Sequence, residues 1–235
     1  IEQLNPVEIV ENELKYELPS FSFGKWYKQP VAPVIWVEKD AIARNIKNFL
    51  SGWSCPIVVS KGYTSWSMLY KAADTINRLL NWHDKVVVLY IGDLDPSGVD
   101  IQRFVKEALG FFIDEIERVE VKRIAITPEQ VEKYNLPPKP EDAETLAKLK
   151  RDTRSKKYTY DYVVEVDALL AFVPDEFKKL VVNSVKELFN QEIYDELKKE
   201  AAEYQEKAKK LVEEYKKKAL IALYNKLREL VGGET

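Results

Sequence analysis

Four continuous apolar runs, each of the first three followed by a stretch of helical spacing, constrain the fold of this chain more than any other feature. "PVIWVEKD" precedes "AIARNIKNFL", "CPIVVSKGY" precedes "SWSMLYKAADTINRLL", "KVVVLYIGD" precedes "SGVDIQRFVKEALGFF", and "VEVKRIAI" closes the series. A strand apolar on both faces must be covered on both faces. A helix with apolar residues every three or four positions has one face to bury. The alternation therefore predicts an α/β fold over residues 31–130, a mostly parallel four-stranded sheet with helices on both faces. No repeat with a period of roughly 20 to 50 residues is present, which excludes solenoids.

The flanks read differently. Residues 1–30 form an arm: "EIVENELKYEL" suits a short helix, and "PSFSFGKWYKQP" is an aromatic-bearing connection expected to pack on the main body. Residues 131–188 form an extension, polar and proline-marked, then basic through "KLKRDTRSKK". Within it "YVVEVDALLAFVP" suits a strand or a short helix, and "DEFKKLVVNSVKELF" an amphipathic helix with Asp175 favourably placed near its N-terminus. Residues 189–235 predict one long C-terminal helix. Its apolar positions, from Phe189 through Leu197, Tyr204 and Leu211 to Leu230, recur every ~3.7 residues, so a left-handed coiled coil is not specified along its whole length. Such a helix either lies across its own domain or joins a second copy or a partner protein.

In an open parallel sheet, ligands bind at the carboxyl ends of the strands. Three such ends carry unusual residues here: Glu38-Lys39-Asp40, Ser60-Lys61-Gly62 and Asp93-Leu94-Asp95. Residues two apart in an extended segment point to the same side, so Asp93 and Asp95 can face one spot. If the first and third strands are neighbours, Glu38 joins them. Three carboxylates at one point repel strongly unless a cation offsets them. Hard oxygen donors that leave places for water and phosphate suit magnesium or manganese. Pro96-Ser97-Gly98 then turns the chain into a helix whose first amides can face a phosphate. Helix capping accounts for one of these acids, not for all three. Lys39 and Asp40 read as a salt-bridged helix start.

"VEKD", "SKGYTS" and "GDLDPSG", each at a strand end, resemble a Toprim domain, the Rossmann-like fold shared by topoisomerases, bacterial primases and OLD-type nucleases. The resemblance is strongest to the Toprim half of the A subunit of topoisomerase VI and its meiotic double-strand-break relatives. It extends to Toprim-like proteins of archaeal and phage mobile elements, through "RIAITPEQVEKYNLPP", the basic "KRDTR", and an acidic strand ending in "DAL". It covers residues 32–188. It implies that Glu38 is a metal ligand or general acid/base, that Asp93 and Asp95 hold magnesium, and that Gly62 lets the backbone approach the site. Lys61 lies beside Gly62, where a phosphate contact and a solvated strand end are equally open.

The resemblance implies a magnesium- or manganese-dependent enzyme acting on nucleic acid, with catalytic Glu38, Asp93 and Asp95 cleaving or nicking DNA. The alternative is a non-catalytic DNA- or protein-interaction component that keeps the metal site. A primase is disfavoured because the zinc-binding cysteines that often accompany such domains are absent. The family places a nucleophilic tyrosine on a winged-helix domain ahead of the Toprim half. The thirty residues here are too few for that domain, and neither Tyr16 nor Tyr27 is spaced as a nucleophile.

Arg123, Lys148, Lys150, Arg151 and Arg154 are candidates for a phosphate-binding face, against an ordinary solvated charge run interrupted by Asp152. Glu165 and Asp167 either lie near the metal site or face solvent. His83 is expected in a surface loop, Cys55 as a small buried apolar residue, and the five tryptophans as core and rim packing.

Composition closes off other classes. One cysteine and one histidine exclude a disulfide framework and a Cys/His zinc cluster. A net charge of -3 excludes a surface that is basic throughout, though not a local patch. No apolar run is long enough to span a bilayer and no signal-peptide pattern opens the sequence, so no membrane partner and a cytoplasmic location are expected. Abundant Lys and Glu with few Cys and Met is a hyperthermophile composition.

Overall fold

In this computed structural model, residues 20–60, 65–139 and 162–231 are described. Lys61, Gly62, Lys148, Lys150, Arg151, Arg154 and Tyr16, singled out above, lie outside them. Two compact units emerge. Gly24–Asn190 is one; Ile1–Phe23 with Gln191–Thr235 is the other.

The larger unit opens with β1 (Val31–Val37), α1 (Asp40–Phe49), β2 (Ile57–Val59), α2 (Trp66–Leu80), β3 (Lys85–Ile91), α3 (Pro96–Leu109) and β4 (Val119–Ala125). It continues with α4 (Pro128–Tyr134), α5 (Asp167–Phe172) and α6 (Pro174–Lys186). The four strands lie in the order β2-β1-β3-β4, and every pairing is parallel. β1 and β3 are neighbours along their full lengths, from Val31 opposite Lys85 to Val37 opposite Ile91. The strand ends that carry Glu38 and Asp93 are therefore side by side.

Strand parity sorts the core into two layers. Ile35, Val37, Val87, Leu89 and Ile91 face one side, where Ile42 and Ile46 of α1, Leu169 of α5 and Phe177, Val181 and Val185 of α6 cover them. Ala32, Val34, Trp36, Val86, Val88 and Tyr90 face the other, under Leu69, Ala73 and Ile76 of α2 and Val105 and Leu109 of α3. This two-sided burial is why β1 and β3 read as continuous apolar runs, while the edge strand β4 alternates.

Local signals set the helix ends. Ser65 caps α2 by accepting from the Met68 N–H at 3.3 Å. Thr127 and Gln130 form a capping box on α4, which stops at Asn135 in the left-handed region, φ 48°. Pro174 opens α6 with Asp175 and Glu176 in its first turn, as expected from the dipole.

The unit is fastened where it begins and ends. The buried Gln29 amide donates to the Asn190 carbonyl at 2.9 Å and accepts from the Asn190 N–H at 2.7 Å. Trp26 packs edge-to-face on Phe189, 5.6 Å between centroids, and donates its Nε1–H to the Trp53 carbonyl. Of the aromatic connection ahead of β1, Trp26 thus packs on the body, while Tyr27 is exposed.

His83 corrects the reading of a surface loop residue. It is buried, and its Nδ1 donates to the Gln29 carbonyl at 2.7 Å. The loop folds inward because the Arg118 guanidinium gathers the carbonyls of Leu80, His83 and Asp84 at 2.7–2.9 Å. Trp26 and Trp36 are buried, while Trp66 and Trp82 stand on the surface. Cys55 is half-buried, and burial pushes its thiol up to about 12.

In the smaller unit, α7 (Gln191–Val231) is a single 41-residue helix. Gln205 accepts from the Phe21 N–H at 2.9 Å, and Leu197 and Ala201 are buried. Tyr204, Leu211, Tyr215, Ile221 and Tyr224 are exposed. Among the described residues, no helix is long and apolar enough to cross a membrane.

Candidate functional site

The site lies where β1 and β3 end. Glu38 follows β1 directly, and Asp93 and Asp95 follow β3 with Gly92 between. The three acids share one neighbourhood: the charges of Asp93 and Asp95 both act on Glu38. Burial is the main reason the Glu38 carboxyl sits above the ordinary glutamate range, and Asp93 and Asp95 push the same way. Hydrogen bonds from the Tyr90 phenol and the Asp93 backbone pull against that rise without cancelling it.

Tyr90 is a site residue that the sequence reading missed. It lies in the core beneath the site and donates its phenolic O–H to Glu38 Oε1. Burial, then the Glu38 charge, holds the phenol far above its ordinary value, so it stays a donor. A Cβ on Gly92 would run into this phenol and come within 3.0 Å of the Glu38 carboxyl carbon. Gly92 is thus needed for space. Nothing in the pattern "VVVLYIGD" separates Tyr90 from an ordinary apolar strand residue.

Arg123, near the end of β4, turns its guanidinium toward the site loop. Nη2 donates to the carbonyls of Gly92 at 3.1 Å and Asp93 at 2.5 Å, and Nε to Ile126 at 2.7 Å. The guanidinium also lies over the Tyr90 ring, 5.4 Å from its centroid. Arg123, a candidate for a phosphate-binding face, bonds here to the backbone from which Asp93 projects.

Lys39 is the N-cap of α1 and is salt-bridged, as expected, but to partners in distant segments. Its ammonium lies 2.5 Å from Asp167 Oδ2, 3.3 Å from Asp93 Oδ2 and 3.6 Å from Glu165 Oε2. Burial pushes this ammonium down, but Asp167, Asp93 and Glu165 together outweigh it and hold it above its ordinary value.

Glu165 and Asp167 therefore stand at the site, the first of the two readings left open for them. The segment that carries them is pinned to the tip of β3. Leu94 and Val164 exchange backbone hydrogen bonds at 2.8 and 3.1 Å, an isolated antiparallel bridge. The Val166 N–H donates to Asp93 Oδ1 at 2.8 Å. The "VVEVDAL" stretch is thus one bridge residue followed by a helix from Asp167, between the two alternatives its sequence allowed. Lys139 completes the set, 2.9 Å from Glu165 Oε1.

Do these residues suit a divalent metal? In kind they do: Glu38, Asp93 and Asp95 are hard oxygen donors on rigid strand ends, and a cation would relieve the repulsion that raises Glu38. In placement, no group of three His, Cys, Asp or Glu side chains among the described residues is already gathered around one point. Both Asp93 oxygens are engaged, by Val166 and Lys39, and Glu38 is turned to Tyr90. A metal would be gripped by carboxylates that shift from these partners.

A stability prediction follows. An acid raised in the folded state holds its proton more tightly there than in the unfolded chain. The resulting stability is full below the unfolded value and lost as pH rises through the folded one. Metal-free Glu38→Gln, whose amide oxygen still accepts from Tyr90, should match the parent protein at low pH. Above the glutamate range it should melt higher than the parent, which then carries a charge in a largely buried place. Thermal melts across pH in chelator check this; equal melting at every pH would contradict it.

No curated protein and no solved structure gave a match to this chain. The family described as the Toprim domain of the topoisomerase 6 A subunit/Spo11 matches residues 33–194, which takes in the sheet from the third residue of β1 onward, the three acids and the segment bearing Glu165 and Asp167. The chain belongs to this topoisomerase 6/Spo11 Toprim family.

Proposed function

We propose that this chain is a magnesium- or manganese-dependent enzyme that cleaves or nicks DNA phosphodiester bonds, with Glu38, Asp93 and Asp95 as its acids. The observation that carries the reading is the meeting of Glu38 with Asp93 and Asp95 at two adjacent parallel strand ends, where burial and mutual repulsion raise the Glu38 carboxyl. Family membership supports DNA processing and metal binding in general terms.

The bound metal would stabilise charge developing on a phosphate oxygen. The chain's own residues account for the rest. Asp93 and Asp95 carry the negative charge that attracts the ion. Tyr90 holds Glu38 in one orientation, and the Glu38 carboxyl, raised by burial, can exchange a proton with a reacting oxygen or a water. Arg123 and the Leu94–Val164 bridge keep the loop rigid. Lys61, Lys150, Arg151 and Arg154 are the cations we assign to the DNA backbone, while Arg123 holds the site loop. We place the activity in the replication or recombination of an archaeal or phage mobile element, with a hyperthermophile source.

The second reading is a non-catalytic component that binds metal and joins a partner or a second copy through α7. The apolar side chains exposed on that helix favour it. One assay separates the two. The full chain is incubated with supercoiled plasmid and magnesium or manganese. Nicked circles, absent with a Glu38→Gln, Asp93→Asn protein, are expected. A chain that binds manganese yet leaves plasmid at the level of that control is the partner component, and the nuclease reading is then wrong.

A further inference from the structure

α7 carries a pattern that the strand-end site does not use. From Leu197 through Ala201, Tyr204, Ala208 and Leu211 to Tyr215, its apolar positions step alternately by four and three residues. Over this stretch, although not along the whole helix, that is a strict heptad stripe. Leu197 and Ala201 are buried within their own unit. Tyr204, Leu211 and Tyr215 are 51, 56 and 67% exposed. Three large side chains, apolar in body and set in one row along a helix, form a surface that gains by being covered.

Charge along the helix says what covers it. Residues 191–206 hold six acids and two lysines, whereas residues 207–226 hold seven lysines and two acids. Two copies of α7 side by side in the same direction would set acid on acid and lysine on lysine. In opposite directions, each acidic half lies on a basic half. The antiparallel pair also has a register in which stripe and charge agree. Tyr204 of each copy then faces Tyr215 of the other, and Ala208 leaves room for Leu211. Lys207 and Glu214, which flank the stripe on the same side, meet twice across the twofold axis. The Lys207 ammonium already lies along that edge, 5.8 Å from the centroid of the Tyr204 ring. A slide by one heptad in either direction would set Glu214 against Glu214 or Lys207 against Lys207.

We propose that α7 is a self-association surface: two copies of this chain pair their α7 helices antiparallel through Tyr204, Ala208, Leu211 and Tyr215, with Lys207 of each copy against Glu214 of the other. This pairing gives form to the second copy named in the second reading above, and it holds whether or not the chain cuts DNA.

Sedimentation equilibrium of the full chain is the test. As concentration rises through the micromolar range, the parent should shift from 27.3 kDa toward twice that mass. Leu211→Glu, at an exposed position in the central layer, should stay at the monomer mass. Lys207→Glu and Glu214→Lys should each weaken association by roughly tenfold or more, because both flanking contacts become like-charged. An equimolar mixture of those two variants should recover the association of the parent, and so should the two substitutions combined in one chain. Only an antiparallel pair in this register gives that recovery, since two parallel helices do not bring position 207 to position 214. A parent that stays monomeric at every concentration would leave the face to a different protein and overturn the pairing. So would a dimer that Leu211→Glu does not break, or a mixture of the two charge variants that associates no better than either alone. None of these results touches the nicking assay or the reading of the strand-end site.

Discussion

Asp93→Asn is expected to lower metal-dependent plasmid nicking by about 10³-fold or more, equivalent to about 4 kcal/mol of barrier, with little effect on folding. Asparagine has the same shape, and its amide oxygen can still accept from the Val166 N–H now bonded to Asp93 Oδ1. The backbone bridge between Leu94 and Val164 does not involve the side chain and should persist. What disappears is the charge. Asp93 acts on Glu38, pairs with Lys39 and projects from the loop that Arg123 clamps. The new amide group also turns its N–H toward the Lys39 ammonium, which keeps Asp167 and Glu165 as partners. Asp95→Asn and Glu38→Gln, which leave Asp93 and its ties in place, should cost about 10²–10³-fold. Rates of nicked-circle formation, compared with thermal melts of the same proteins, check the order. A rate for Asp93→Asn within about threefold of the parent, or a melting loss as large as that of a core deletion, would show that Asp93 is a structural residue.

The sheet was legible because burial on both faces leaves apolar residues through the two central strands, and Val34–Val37 and Val86–Ile91 are that signal. The acids were legible for the complementary reason. Glu38, Asp93 and Asp95 interrupt the apolar runs at the end of the sheet where ligands bind, and β1 and β3 proved to be neighbours. What could not be read were contacts that depend on distant segments meeting. Lys39 follows Glu38 in sequence and looks like a helix start; its partners Glu165 and Asp167 arrive from a segment more than 120 positions away. Tyr90 was hidden because one side chain supplies both a core ring and a polar tip, and the apolar pattern registers only the ring. His83 was misplaced because its burial comes from Gln29 and from Arg118, neither of which is adjacent to it in sequence. A basic residue in a strand such as Arg123 suggests a phosphate by composition alone, yet its geometry is set by carbonyls that strand ends leave exposed.

Arg123→Met keeps most of the side-chain volume and removes every N–H donor. The carbonyl of Gly92 would retain the Ile126 N–H at 2.9 Å, but the guanidinium bonds to Asp93 and Ile126 would go unreplaced. Loss of donors to half-buried carbonyls, of a charge beside Glu38, Asp93 and Asp95, and of the contact over the Tyr90 ring should destabilise the protein by about 2–4 kcal/mol. It should also weaken manganese binding by about tenfold or more, because the backbone that aims Asp93 is no longer held. Arg123→Lys restores a charge but not the planar fork that reaches carbonyls on both sides, so it should recover less than half of the stability. Urea unfolding and manganese titration of the three proteins decide the matter. If Arg123 were chiefly a phosphate contact, both variants would melt and bind manganese like the parent, and only DNA affinity and its salt dependence would change. The guanidinium's three backbone acceptors argue for the first outcome: a side chain that grips Gly92, Asp93 and Ile126 shapes the site before any DNA is present.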